Sequence, residues 1–207
     1  MFDYRFSHRF PLETLSDAFS LVFMDTSAWR INRKRKTING MLGSEFEAML
    51  NSHSNIIMCR SGIKELKRGL EFIKCKERHS IAEILYARCP RSNPETWAER
   101  QIYSHVHKLA KLYAVIDDRE QPPADKQVAY NILKSCVHSE FVAFASNDNK
   151  LRCLVDDMGN NNFDEIPIRF KPVATFRYRV RMNDYEFRGV GETPKYFLPS
   201  IQTEYAL

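Results

Sequence analysis

The feature that most restricts the fold is an alternation of short apolar runs with amphipathic helical segments. The runs FSLVFM at 19–24, NIIMC at 55–59, LYAVI at 112–116 and FVAFA at 141–145 are nearly continuous apolar stretches. Runs this short and this continuous are expected of strands buried on both faces, as in parallel sheets. Between them lie segments of helical period. A capping box of Ser44 with Glu47 opens a helix over 44–53. Ser61 opens another, with Ile63, Leu66, Leu70 and Ile73 along one stripe. Ser80 with Glu83 starts a third towards Arg88, and Asn93 followed by Pro94 starts a fourth that runs to about Ala110. After Pro122 and Pro123, a fifth places Val128, Ala129, Ile132, Leu133 and Cys136 on one face. Strand and helix in repeated succession predict an α/β fold, with a central parallel sheet between helical layers in an α/β/α sandwich.

The C-terminal part reads differently. Residues 174–190, ATFRYRVRMNDYEFRGV, alternate polar with apolar, turn at Asn183-Asp184, and alternate again. That pattern predicts a β-hairpin with one polar face, appended to the sheet as an antiparallel extension rather than as another βαβ unit.

Several function classes drop out early. The run at 21–24 is too short for a membrane span, and Asp3, Glu13 and Asp17 precede it, unlike a secretory signal. Glycine is scarce, at seven residues, and no phosphate loop or dinucleotide fingerprint occurs. The five cysteines (Cys59, Cys75, Cys89, Cys136, Cys153) form no C-x-x-C pair, so they read as reduced thiols of a cytoplasmic protein. A net charge of +5 permits a polyanionic partner without requiring one. That charge is unevenly spread. Residues 30–36 carry five positive charges and residues 169–188 six positive against two negative, which leaves the rest of the chain at −4.

Four carboxylates stand out against this pattern. Asp25 follows the first strand, and Asp148 follows the fourth after Ser146 and Asn147. Glu65 falls in the first turn of the helix after the second strand, and Asp125 in the first turn of the helix after the third. All four places lie along the carboxyl ends of the strands, where open α/β sheets bind ligands. Each alone has an ordinary explanation, because acidic residues suit helix starts and Asp25-Thr26-Ser27 suits a cap. Four carboxylates converging on one edge cannot all stay ionised unless a cation sits among them, and a hard divalent ion suits oxygen ligands.

These segments resemble the PIN domain family. LVFMDTSAW at 21–29 is similar to the opening of PIN domains, where an apolar strand ends in Asp-Thr or Asp-Ser. SGIKELKRG at 61–69, PPADKQVAYNILKSC at 122–136 and FVAFASNDNKL at 141–151 are similar, in order, to the segments carrying the family's other three acidic residues. The resemblance spans about residues 19–158. It implies a nuclease domain over 1–170 with a helical insertion at about 66–111; the hairpin extension and tail over 171–207 lie outside the resemblance. It also implies a metal-dependent endoribonuclease that cuts single-stranded RNA, leaving a 5′-phosphate and a 3′-hydroxyl. Asp25, Glu65, Asp125 and Asp148 would bind one or two Mg²⁺ or Mn²⁺ ions, with Thr26, Ser27, Ser146 and Asn147 hydrogen-bonding around them. Stand-alone members are often toxins or defence effectors, and often dimers. An antitoxin or regulatory protein and a second copy of the chain are therefore the expected protein partners.

Lys150 stands where many members place a further aspartate, and Asp156 or Asp157 are the residues that would compensate. That departure favours a catalytically weak or inactive RNA-binding module as the alternative. A nuclease acting on single-stranded or flap DNA is the third reading. The expected polyanion contacts are Arg30, Arg33, Lys34, Arg35 and Lys36 beside Asp25, together with Lys150 and the hairpin arginines Arg177, Arg179 and Arg181. His105 and His107 read as packing or surface residues, and Trp29 and Trp97 as core or interface aromatics.

Overall fold

The computed structural model describes residues 9–112, 124–138, 141–160, 173–179 and 184–188. Its central sheet has six strands in the order β1-β8-β7-β6-β2-β5. Strands β2 (Leu21–Met24), β5 (Ile56–Ile57), β6 (Val142–Ala145) and β7 (Val173–Arg179) run parallel to one another, with Val22 opposite both Ile56 and Ala143, and Ala143 opposite Ala174. Strand β8 (Asp184–Phe187) then pairs antiparallel with β7, and β1 (Arg9–Phe10) antiparallel with β8. The fold is α/β with a mostly parallel central sheet.

Strand parity sorts the core into two layers. Val22, Met24, Ile56, Met58, Ala143, Ala145, Ala174, Phe176 and Tyr178 face one way. There they meet the helices α1 (Leu12–Ala18), α2 (Gly43–Ser52), α3 (Arg60–Gly69) and α4 (Cys75–Ala87). Phe23, Ile57, Cys59, Val142, Phe144 and Val173 face the other way, onto α5 (Trp97–Leu112), α6 (Ala124–His138) and α7 (Asn149–Asn160). Helices therefore flank both faces, an arrangement compatible with an α/β/α sandwich. The central strands are nearly all buried: all four residues of β6 are fully enclosed, and in β2 Leu21 is partly buried while Val22, Phe23 and Met24 are buried.

The expected hairpin is present, with β7 and β8 paired antiparallel, but its reading as an appended element is corrected. Its first strand, β7, pairs in parallel with β6 after the α7 crossover, so it is a further βαβ unit of the main sheet. Only β8 turns back. Asp184 is the first residue of β8 rather than a turn residue, and 180–183 lie outside the described residues. Of the expected third strand at 112–116, Leu112 ends helix α5 and the remainder lies outside the described residues.

Helix starts are also relocated. Glu45, not Glu47, closes the start of α2, accepting the Leu42 N–H at 2.7 Å, while Glu47 accepts from the Ser80 hydroxyl at 2.5 Å. Ser80 therefore lies inside α4, which begins five residues earlier at Cys75. Helix α5 is opened by a reciprocal pair rather than by Asn93: the Glu99 N–H donates to Thr96 Oγ1 at 3.1 Å, and Glu99 Oε2 accepts from the Thr96 N–H at 3.3 Å. The stretch expected as an insertion supplies core. Ile81, Ala82 and Leu85 of α4 pack in the first layer. Trp29 is buried, stacked edge-on against Phe46 at 5.1 Å, whereas Trp97 is 64% exposed and belongs to no core.

Candidate functional site

The carboxyl ends of the adjacent strands β2 and β6 form the centre of the site. The Asp25 N–H extends the ladder by donating to the Ala145 carbonyl at 2.9 Å, which fixes the residue at the strand end. Its side chain caps a short 3-10 turn over Thr26–Ala28: Oδ2 accepts from the Ser27 N–H at 3.3 Å and from the Ser27 hydroxyl. The same oxygen accepts from the Ser146 hydroxyl at 2.8 Å. Ser146 is fully buried, and its Oγ in turn accepts from the Asp148 N–H at 3.0 Å. Asp148 caps α7, its Oδ1 accepting from the Leu151 N–H at 3.0 Å. One serine hydroxyl thus joins the two aspartates.

Asn147 closes the network. Its N–H donates to Ser27 Oγ at 2.8 Å, its amide nitrogen to the Ser27 carbonyl at 2.9 Å, and its Oδ1 accepts from the Tyr178 N–H at 3.0 Å. The loops after β2 and β6 and strand β7 are held as one unit. Each aspartate commits one oxygen to these bonds, and the other oxygen of each has no hydrogen-bond partner among the described residues.

The other two carboxylates come from helices. Thr26 Oγ1 donates to the Gly62 carbonyl of α3 at 3.4 Å. A Cβ on Gly62 would lie 3.3 Å from Thr26 Oγ1, and one on Gly69 2.7 Å from Ile31 Cδ1. The lack of side chains at these two glycines lets α3 lie close against the segment 26–31. Glu65 falls between them in sequence, on the same stripe of the helix, and is exposed with no ion pair or hydrogen bond among the described residues. It is the sixth residue of α3, which starts at Arg60 behind Cys59, so the expected first-turn position is corrected to the second turn. Asp125 does lie in the first turn of α6 and is half-buried. That turn is tied to the end of β5, because the Cys59 thiol donates to the Gln127 carbonyl at 3.9 Å and accepts from the Asn131 amide at 3.5 Å. Burial pushes the Cys59 thiol up to about 12, with the Asp25 charge adding a smaller push in the same direction.

Of the four carboxylate residues, Asp25 and Asp148 are joined through the Ser146 hydroxyl, which donates to the Asp25 carboxylate and accepts from the Asp148 N–H. Among the described residues no group of three or more His, Cys, Asp or Glu side chains is placed to hold a metal ion. The donor chemistry itself fits a hard cation: the uncommitted oxygens of Asp25 and Asp148 and the unpaired carboxylate of Glu65 are all anionic oxygens.

The basic run forms a structure of its own. Strands β3 (Ile31–Asn32) and β4 (Thr37–Ile38) pair antiparallel, which puts Arg33, Lys34, Arg35 and Lys36 on an exposed tip. Lys36 adopts φ 54, an unusual backbone for a lysine and one set by the tight turn. None of the four side chains makes a hydrogen bond or ion pair among the described residues. The root of the hairpin is rigid by contrast. Asn39 Oδ1 accepts from the Arg30 N–H at 2.7 Å and its amide donates to Tyr185 Oη at 3.0 Å, while that hydroxyl donates to the Ala28 carbonyl at 3.2 Å.

Lys150 is exposed in the first turn of α7, and Arg177 is exposed on β7 with Phe176 and Tyr178 buried on either side, as strand parity predicts. Arg181 and the side chain of Arg179 lie outside the described residues. His105 is buried and His107 exposed. Asp156 is 2% exposed on α7 and lines a cavity together with Arg152, Arg177 and Arg188.

Sequence reading did not single out Arg152 and Arg188. Helical spacing offered a pointer to the first, which lies one turn beyond Asp148. Strand parity offered one to the second, two residues from Glu186, which pairs with Arg177 across β7 and β8. No family model, curated protein or solved structure matches the chain.

Proposed function

We propose that the chain is a PIN-like, metal-dependent endoribonuclease acting on single-stranded RNA. The observation that carries this reading is the Asp25–Ser146–Asp148 bridge at the carboxyl ends of two adjacent parallel strands, with one oxygen of each aspartate uncommitted among the described residues. Asp25 and Asp148 would hold the cation, and Glu65 and Asp125 would complete its carboxylate shell from α3 and α6. A bound Mg²⁺ or Mn²⁺ there supplies a more acidic water and neutralises charge developing on a phosphodiester. The chain's own residues do the positioning. Ser146 and Ser27 orient the Asp25 carboxylate, and Asn147 holds the two loops in register. The exposed tip at 33–36 supplies positive charge, which draws a polyanion towards an otherwise acidic edge.

A second reading has a specific observation in its favour. No three donors are gathered among the described residues, and Lys150 replaces a further carboxylate, as in an RNA-binding module with little or no catalysis. Labelled single-stranded RNA and DNA of one sequence, incubated with the chain in Mn²⁺, separate these readings. The proposal expects RNA to be cut faster than DNA, leaving 5′-phosphate ends. RNA bound but uncut selects the binding module, and preferential DNA cleavage selects a DNA nuclease.

A further inference from the structure

A second place in the molecule has chemistry that the carboxylate edge does not use. Between the first turns of α7 and the β7–β8 edge lies a cavity of about 240 Å³, lined among others by Asn149, Arg152, Asp156, Thr175, Arg177 and Arg188. It is large beside the roughly 30 Å³ that one water occupies in the liquid. Three guanidinium groups line one concave space.

Arg152 is the least ordinary of them. It is 7% exposed, yet it donates only to neutral oxygens, the Ser146 carbonyl at 3.1 Å and Asn149 Oδ1 at 2.7 Å. No carboxylate pairs with it among the described residues. Burial, with the charges of Arg177 and Arg188 adding to it, lowers its affinity for its own proton. Asp148 acts on it only as a smaller, opposing charge, and a buried cation that no carboxylate pairs with directly is costly, a cost that an anion in the cavity reduces. Arg177 is exposed and makes no side-chain hydrogen bond or ion pair among the described residues. Arg188 is paired with Glu186 at 3.0 Å, and Asp156 brings one negative charge to the lining. Positive charge still predominates. Planar guanidinium forks match phosphate oxygens two at a time, which suits them to phosphate better than a lysine cluster would.

The place of the cavity indicates whose phosphate it takes. Ser146 touches both sites: its carbonyl accepts from Arg152, and its hydroxyl donates to Asp25. We infer that the Arg152–Arg177–Arg188 cavity is a phosphate-binding subsite that seats a phosphate of the nucleotide chain beside the proposed cutting edge. The subsite rests on the nuclease reading for the identity of its ligand, but its binding does not require cleavage.

The test uses the full chain in EDTA, so that it holds or fails whether or not the protein cuts RNA. Its probes are inorganic phosphate, a nucleoside 5′-monophosphate, the matching nucleoside, and a short single-stranded RNA. Thermal stability is expected to rise with phosphate and with the monophosphate but not with the nucleoside. Phosphate is expected to compete with the RNA. Arg177→Ala, an exposed change that should leave the unliganded melting temperature in place, is expected to abolish the phosphate shift. It should also weaken RNA binding about tenfold, as loss of a charge-assisted contact implies, and lower the salt dependence of RNA binding by about 0.7 in log–log slope. Arg177→Lys should recover the slope and only part of the affinity. Absence of any phosphate shift overturns the inference. So does a phosphate shift accompanied by RNA affinity indifferent to Arg177→Ala, which would mark a site for the free anion alone.

Discussion

The four carboxylates that look equivalent in sequence form two unlike pairs in the structure. Asp25 and Asp148 share the Ser146 hydroxyl at the ends of β2 and β6, and each is also held by a capping bond. Glu65 stands exposed on the second turn of α3, and Asp125 is half-buried at the start of α6, whose first turn meets the end of β5 through the Gln127–Cys59 contact. The difference teaches how such a site is built. Strand ends set two carboxylates through backbone and serine hydrogen bonds, and helices bring the other two from α3 and α6. The capping bonds, which by themselves would explain Asp25 and Asp148 as structural residues, also aim their carboxylates.

Mutations should break this comparison in a graded way. Asp25→Asn is expected to have the largest effect, a loss of RNA cleavage of about a thousandfold or more, since a carboxylate–cation interaction contributes several kcal/mol at 1.4 kcal/mol per decade. Single-turnover rates check it, with an unchanged circular dichroism spectrum showing that the strand end survives. Ser146→Ala should come next. It leaves both aspartates in place but removes the hydroxyl between them, so cleavage should fall about 10- to 100-fold, with weaker Mn²⁺ binding in calorimetry. Glu65→Gln should cost no more than about tenfold, because that side chain is exposed with no hydrogen bond or ion pair among the described residues. A loss from Glu65→Gln as large as that from Asp25→Asn would erase the distinction between the pairs. Replacing Arg33, Lys34, Arg35 and Lys36 by glutamine should leave the single-turnover rate on saturating RNA nearly unchanged. Its effect should be on binding, lowering the log–log salt slope by about 0.7 for each cation that contacts phosphate.

The smallest effect on activity is expected at a charge far from either pair. Glu99 is hydrogen-bonded and ion-paired with Lys134 at 2.8 Å, which holds its carboxyl down at about 2 against an ordinary 4.5. A depressed folded-state pKa stabilises the fold above the unfolded value. That contribution should therefore be complete above pH 4.5 and decline as pH falls towards 2. Glu99→Gln should flatten the stability profile in that window, read from melting temperatures, without altering cleavage at neutral pH.

The strands β2, β5 and β6 were legible because a strand enclosed on both faces must be apolar at every position. The carboxylates at their ends were legible for the same reason, since the apolar run has to stop where the chain leaves the sheet. Strand β7 misled because parity reports faces and not partners. Thr175 and Arg177 alternate with buried Phe176 and Tyr178 as in an edge hairpin, yet β7 lies beside β6. Parallel pairing is a relation with a distant segment that no local pattern displays. Helix starts failed in a similar way. Asn93-Pro94 and Thr96-x-x-Glu99 are competing caps three residues apart, and hydrogen bonding at Thr96 decided between them. The arginine cavity was out of reach because Arg152, Arg177 and Arg188 come from a helix, a strand and the residue after another strand, and meet only once β7 is placed against α7.

The central claim is that Asp25 and Asp148 together hold the cation that cleavage needs. Cleavage of single-stranded RNA by the wild-type chain and by the Asp25→Asn, Asp148→Asn double variant, each with Mn²⁺ and with EDTA, tests it most directly when Mn²⁺ binding is titrated alongside. The account predicts cleavage by the wild type in Mn²⁺ alone, and loss of both cleavage and Mn²⁺ binding in the folded double variant. Equal cleavage by the two proteins, or undiminished cleavage in EDTA, would contradict it.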